Sequence, residues 1–239
     1  GLPRRRQEAV DGGQHLKGVV LSCLFTTMPD PIAALDPGRP EYWPADSSIG
    51  DPLLDSLEGQ EVRIFHDGVS TDDPRWIKVP VGATNAYWQR WFTYRDWLED
   101  HPEVEAVWCV DLGDVRCLAP DRLWHLAPNV LYTGYEPEVL GCGWMLDNHP
   151  ASREWLEKNQ DQVLLNAGVV GGERQPMIRF LDAFLSLWAR AKVMGQEDTT
   201  DMALFARAAR EVPYLTGPRV VTEFRKYDYD NTESLWAHK

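Results

Sequence analysis

The chain has 239 residues, 44% of them apolar, with a formal net charge of -13 and a pI near 4.9. That length suits one large α/β core rather than a string of domains. The acidic balance argues against sequence-independent binding to nucleic acid or to an anionic membrane surface, both of which need basic surface.

No apolar run approaches a membrane span and no signal-peptide pattern opens the chain, so a cytoplasmic protein with no membrane partner is expected. The four cysteines, Cys23, Cys109, Cys117 and Cys142, form no CxxC pair and no zinc spacing. Two of them fall in apolar runs where cysteine acts as a small hydrophobe, which fits a reducing compartment.

Residues 1–17 read as a polar arm, expected to be solvated and partly disordered. Its Arg4-Arg5-Arg6 cluster is the one segment suited to a polyanion. A single domain is expected from residue 18 to residue 239. Gly18 to Phe25 reads as a buried first strand. A segment broken by Pro29, Pro31, Pro37, Pro40, Pro44 and Pro52 follows, a length of loop that is usually functional or mobile. Glu61 to Phe65 reads as a second strand ending in His66-Asp67-Gly68.

From Thr84 to Asp100 the period becomes helical, with Tyr87, Trp91, Tyr94 and Leu98 on one face. Asn85 is placed to cap this helix and Pro102 to end it. Arg90 and Arg95 on the same helix either reach a phosphate or lie along a solvated face. Val107 to Val110 reads as a buried strand, and Asn129 to Thr133 as another. A short helix is expected near Ser152 and a buried strand over Val163 to Val170. The helix around Pro176–Lys192 presents Ile178, Leu181, Leu185 and Trp188 to the core, and a last helix covers Thr200–Arg210. Strands alternating with helices predict a mainly parallel sheet covered on both faces.

Three stretches carry candidate chemistry. In the first, the strand Val107-Trp108-Cys109-Val110 delivers Asp111 and Asp114 to one strand end, with Gly113 bending the chain between them. Strand ends are where open α/β sheets bind ligands, and paired oxygen ligands there suit a hard divalent cation carrying phosphates. An acidic surface turn is the other reading. In the second, an apolar strand stops at Asn166 and passes through Gly168, Gly171 and Gly172. Glycine admits close backbone approach to a ligand, and an amide both donates to and accepts from hydroxyls. A plain strand end followed by a turn is the alternative. The third is the acid-rich turn of Glu197, Asp198 and Asp201, where Thr200 is placed as helix cap and Asp201 sits in the favourable field of the helix N-terminus. Late in the sequence His238 joins the two aspartates in a donor set suited to manganese. Among the 11 tryptophans, Trp43 and Trp144 are the candidates for exposed aromatic platforms. There is no GxxxxGK(S/T), GxSxG, HExxH or reactive-cysteine signature, and Gly141-Cys142-Gly143 is too short for a dinucleotide fingerprint.

In this order, Asp111-Leu112-Gly113-Asp114-Val115, Tyr132-Thr133-Gly134-Tyr135-Glu136-Pro137 and Leu165-Asn166-Ala167-Gly168 with Gly171-Gly172 resemble the GT-A glycosyltransferases. The nearest likeness is to the glycosyltransferase domains of lysyl hydroxylases and related procollagen-type enzymes, over roughly residues 18–239. The resemblance implies a GT-A-like α/β fold and transfer of a sugar from a nucleotide diphosphate donor, UDP-linked by expectation, to a hydroxyl on a small molecule, a protein or a modified nucleobase. It implies retention of anomeric configuration and a Mn2+ (or Mg2+) cofactor on Asp111, Asp114 and His238. Asp201 and Asn166 would act at the sugar, with Gly168 facing it. Thr26 and Thr27 would lie near the base and ribose, and Arg90 and Asp198 would add substrate contacts. Met202 stands where the family has Gln, which removes one polar sugar contact. The family's glycine-rich phosphate contact has no counterpart after His238, and Lys239 would supply that charge. Two rivals use the same aspartates: a metal-dependent nucleotidyltransferase or phosphohydrolase, and a silent nucleotide-sugar-binding module.

Overall fold

The computed structural model describes residues 16–36, 38–82, 85–226 and 228–239. The expected polar arm, Arg4 to Arg6 included, lies outside the described residues but for its last two positions.

β1 (Gly18–Leu24) forms where the apolar run predicts it, and alternate residues face opposite layers. Val19 and Leu21 enter one core while Val20 and Leu24 enter the other. A connection containing the short helix α1 (Asp51–Ser56) leads to β2 (Val62–His66), and β3 (Trp76–Lys78) adds an edge strand too short for a periodic signal. α2 (Ala86–Asp100) begins as expected, with the Asn85 side chain accepting from the N–H groups of Tyr87 and Trp88. β4 (Ala106–Val110) is wholly buried, and β5 (Val115–Cys117) follows after the turn that carries the aspartates. β6 (Leu131–Val139), α3 (Gly143–Asn148), α4 (Arg153–Lys158), β7 (Val163–Glu173), α5 (Arg174–Val193), α6 (Met202–Ala209), β8 (Tyr214–Leu215) and β9 (Trp236–His238) complete the order.

Seven strands make one sheet in the order β3-β2-β1-β4-β7-β6-β8, and β5 and β9 form a separate ribbon. All neighbours in the large sheet are parallel except β7, which runs antiparallel between β4 and β6. Successive strands step outward from β1 to β3, and the chain then returns through α2 to lay β4 on the other side of β1. The gap beyond the ends of β1 and β4 is therefore a topological switch point, the place where open α/β sheets take ligands.

The mainly parallel sheet with helices on both faces is thus present, with two corrections to local expectations. β7 does not end at Asn166; it continues through the glycines to Glu173. Glycine at 171 is needed for packing, since a Cβ there would collide with the Trp108 indole. On α5 the residues in the core are Met177, Phe180, Leu181 and Phe184, while Ile178, Leu185 and Trp188 lie at its margin. Phe180 and Phe184 pack against Trp91 with Phe205 from α6, so one aromatic cluster joins the three helices on this face. On the opposite face α1 and the β5–β9 ribbon cover Trp108, against which Trp236 packs edge to face. All four cysteines are unpaired thiols. Among the described residues no helix is long and apolar enough to cross a membrane.

The turn before α6 is pinned by His149 rather than by a cap. Thr200 does not cap α6; the cap position is Asp201, whose side chain makes no capping bond. The Thr200 hydroxyl lies 2.7 Å from His149 Nε2, and His149 Nδ1 lies 2.9 Å from the Met145 carbonyl. Nδ1 must carry the proton, so the neutral ring accepts from Thr200. Burial pushes the His149 pKa below its ordinary value, against the raising effect of the Met145 bond and of Asp198 and Asp201. Because the unfolded chain takes the proton more readily, this part of the stability is complete above about pH 6.5 and is lost as the pH falls below it. The thermal midpoint of the native protein should therefore fall more steeply between about pH 7.5 and 5.5 than that of His149→Gln. Equal slopes would show that His149 is not held neutral.

Candidate metal centre

Asp111 is the first residue past β4. Its N–H still donates to the Gly168 carbonyl at 2.9 Å, so the ladder fixes the backbone where the carboxylate begins. Along β4, Val107 and Cys109 face the α2 layer, and Asp111 continues that parity toward the helix. The chain then turns through Leu112 and Gly113, brings up Asp114 and enters β5. β9 pairs antiparallel with β5 in the register Val115↔His238, which sets His238 across from the residue after Asp114. The backbone N–H of Lys239 donates to the Asp114 carbonyl at 3.1 Å, and that of His238 to Thr222 Oγ1 at 3.2 Å. Asp111, Asp114 and His238 thus offer one ligand atom each, all within 4.8 Å of one another.

His238 is 3% exposed, with its Nε2 3.6 Å from Asp114 Oδ2 and Phe224 packed against the ring. Burial works against its protonation, but Asp114 first, then Asp111 and Glu136, outweigh it and raise its pKa. Burial would also raise the Asp114 carboxyl, yet the His238 hydrogen bond and charge hold it below the usual range. Asp111 moves the other way: burial raises it, only partly offset by Arg90, and the neighbouring Asp114 adds to the rise. Two carboxylates and an imidazole converging this closely form a donor set suited to a divalent cation.

Gly168 leaves the room. In β6–β7 the register jumps from Thr133↔Val170 to Gly134↔Asn166, so Ala167, Gly168 and Val169 bulge out of that ladder. A Cβ at Gly168 would lie 2.7 Å from Asp111 Oδ2 and 2.8 Å from His238 Nε2. Asn166 builds the bulge: its Oδ1 accepts from the Gly168 N–H at 2.7 Å and its Nδ2 donates to Glu136 Oε1 at 2.8 Å. Both ends of the amide are therefore used within the protein. Glu136, half-buried on β6, has its carboxyl raised by burial despite the bond from Asn166.

Arg90 is half-buried and turned toward two acids, not solvated as a face of α2 would suggest. Its Nη1 meets Asp111 Oδ1 at 2.6 Å, and its Nη2 and Nε meet Asp201 Oδ2 at 2.6 and 3.1 Å. Asp201 is 1% exposed and also accepts from Trp91 Nε1 at 2.7 Å. It stands one guanidinium away from Asp111, turned inward, and fixes Arg90. Arg95 pairs with Asp182 and Glu99 on the surface.

Of the other expected site residues, Lys239 adjoins the cluster, whereas Thr26, Thr27 and Asp198 are bonded to other partners. Thr26 and Thr27 sit just beyond β1, where Asp67 accepts from both backbone N–H groups and both hydroxyls. Burial favours the protonated Asp67, but these four bonds prevail and lower its pKa. Asp198 is committed to the Ala151 N–H and the Ser152 hydroxyl. The Lys239 side chain is exposed next to Asp114. Trp43 is not a free platform, since its Nε1 donates to Asp30 at 3.1 Å; Trp144 is 42% exposed beside His149. Glu136, Arg39 and Phe224 were absent from the expected site. Glu136 stood within a quoted motif, whereas a proline-broken loop offers no periodicity by which to place Arg39.

No protein-family model matches the chain, and no curated protein does. The geometry therefore stands on its own.

Gly168→Ala should weaken Mn2+ binding at least about tenfold by calorimetry and abolish the thermal shift that Mn2+ confers, because overpacking must displace a ligand. Native-like Mn2+ affinity in that variant would remove Gly168 from the site.

Proposed function

We propose that the chain is a metal-dependent glycosyltransferase of GT-A type that moves a sugar from a nucleotide diphosphate to a hydroxyl acceptor. The observation that carries this reading is the convergence of Asp111, Asp114 and His238 at the switch point of the sheet, around space that only glycine at 168 leaves open. Two carboxylate oxygens and an imidazole fit Mn2+, and Mg2+ less well because of the nitrogen donor. When bound, such a cation neutralises charge developing on a leaving diphosphate as a Lewis acid.

The chain's own residues have distinct parts in this reading. Asp111 divides its oxygens: Oδ1 receives Arg90, and Oδ2 faces the space beside Gly168 and His238. Arg90 orients that carboxylate and is itself oriented by Asp201 and Trp91. Asp201 therefore acts through Arg90 as a positioning residue, its own charge paired with the guanidinium. Asn166 shapes the bulge that sets Gly168 against the cation site. The resemblance favours retention of configuration at the transferred sugar.

Incubating the protein with a panel of UDP-sugars and Mn2+ should release UDP and free sugar, since glycosyltransferases leak by hydrolysis. Asp111→Asn and Asp114→Asn should each lower that rate about a hundredfold or more, the scale of a Lewis-acid contribution of several kcal/mol. Release of the monophosphate with pyrophosphate or sugar phosphate would instead assign the cluster to nucleotidyl or phosphoryl chemistry. A native protein that binds Mn2+ and UDP without turnover would be a binding module.

A further inference from the structure

Beyond the metal cluster, the loop after β1 brings a second arginine to the same opening. Asp30 is buried at the centre of that loop and accepts from the Ile32 N–H, from Trp43 Nε1 and from Arg39 Nε, the last at 2.6 Å. The Arg39 guanidinium lies over the Trp43 ring, and its Nη2 donates to the Tyr87 hydroxyl at 3.1 Å. Tyr87 is shared, because the Arg90 guanidinium sits 5.4 Å from its ring centre and extends to Asp111. Two guanidiniums thus flank one tyrosine at the edge of the cation site. They differ in what remains free. All three Arg90 nitrogens are bonded to Asp111 and Asp201, whereas Arg39 Nη1 has no hydrogen-bond partner among the described residues and its side chain is 32% exposed. The Arg39 charge also reaches Asp114, which it helps to keep ionised.

We infer that Arg39 is the protein's diphosphate-binding cation: its free Nη1 edge receives a phosphoryl oxygen of the group that the Asp111–Asp114–His238 cation carries. This inference rests on the nucleotide-diphosphate reading and replaces Lys239 as the phosphate contact. A guanidinium held by Asp30, Trp43 and Tyr87 is already ordered, so little side-chain entropy remains to be lost when an anion arrives. The Arg90 charge is already set between two carboxylates, Asp111 and Asp201, whereas Arg39 is paired only with Asp30. A loop staple alone would need the Asp30 and Tyr87 bonds but not the outward, unpartnered edge.

Calorimetric titration of the full chain tests it with three probes: Mn2+ alone, inorganic pyrophosphate with Mn2+, and UDP with Mn2+. Arg39→Gln should weaken pyrophosphate and UDP about tenfold or more, the scale of a lost charge-assisted hydrogen bond, and leave Mn2+ alone unchanged. Arg39→Lys keeps the charge and loses the fork to Asp30 and Tyr87, and should stay within about threefold of native for pyrophosphate. Native affinity in Arg39→Gln overturns the inference, and so does an equal loss in the Lys and Gln variants, which would make Arg39 a staple. A native protein that binds pyrophosphate with Mn2+ but not UDP would sink the glycosyltransferase reading while leaving Arg39 its anion. One that binds neither sinks both.

Discussion

Asp111, Asp114, Asp201 and Glu136 are brought together beyond the end of the central strand β4, and their mutual repulsion is the constraint around which the surrounding structure is arranged. Unpaired carboxylates in partly desolvated positions are costly, so each has an assigned counterpart. Arg90 bridges Asp111 and Asp201, His238 faces Asp114, and Asn166 donates to Glu136. Arg39 stands behind Asp30 and adds its field to Asp114. The compensation is incomplete at one point. Asp111 remains shifted toward its protonated form even with Arg90 in contact, which marks the space between Asp111, Asp114 and His238 as the place where positive charge is still wanted.

The fold supplies that arrangement through long-range pairings. β4 carries Asp111 to the switch point, β7 brings the Gly168 bulge alongside it, and α2 lays Arg90 across the gap to α6. Each partner arrives on a different element, and each element is anchored by apolar packing that is independent of the charges. Trp91 belongs to both systems: its ring lies in the Phe180–Phe184–Phe205 cluster and its Nε1 donates to Asp201. Removing that indole would loosen the helix layer and free the carboxylate that orients Arg90 at the same time.

The parts legible in the sequence were those governed by local pattern. The alternation in β1 and β4, the Asn85 cap, and the pair of aspartates after a buried strand all follow from neighbours in the chain. What was misread was decided by distant partners. Arg90 looks like a helix-surface cation because its acids come from β4 and from the cap position of α6. The glycines after Asn166 resemble a turn, but Gly171 is required by the Trp108 ring on the neighbouring strand and Gly168 by the Asp111 carboxylate and the His238 ring. On α5 the stripes 177-180-181-184 and 178-181-185-188 are both apolar, so periodicity alone does not choose between them; the aromatic cluster does. β5 and β9 are three residues each, too short for a signal, although their register is what places His238.

That ribbon gives the site a thermodynamic property of its own. β9 is docked by three pairings with β5, a bridge from Val221 to Trp236 on its other side, the Trp236–Trp108 contact and the His238–Thr222 bond. A cation that needs His238 binds only the state in which β9 is docked, so its binding free energy adds to the stability of that docked state. By reciprocity, fraying of β9 weakens the cation in proportion to the docked population it removes. The same linkage reaches Glu136, whose charge acts on the His238 ring, and Phe224, which packs against it. Thr222, Phe224 and His238 therefore belong to the candidate metal centre and not merely to the cover of the second core.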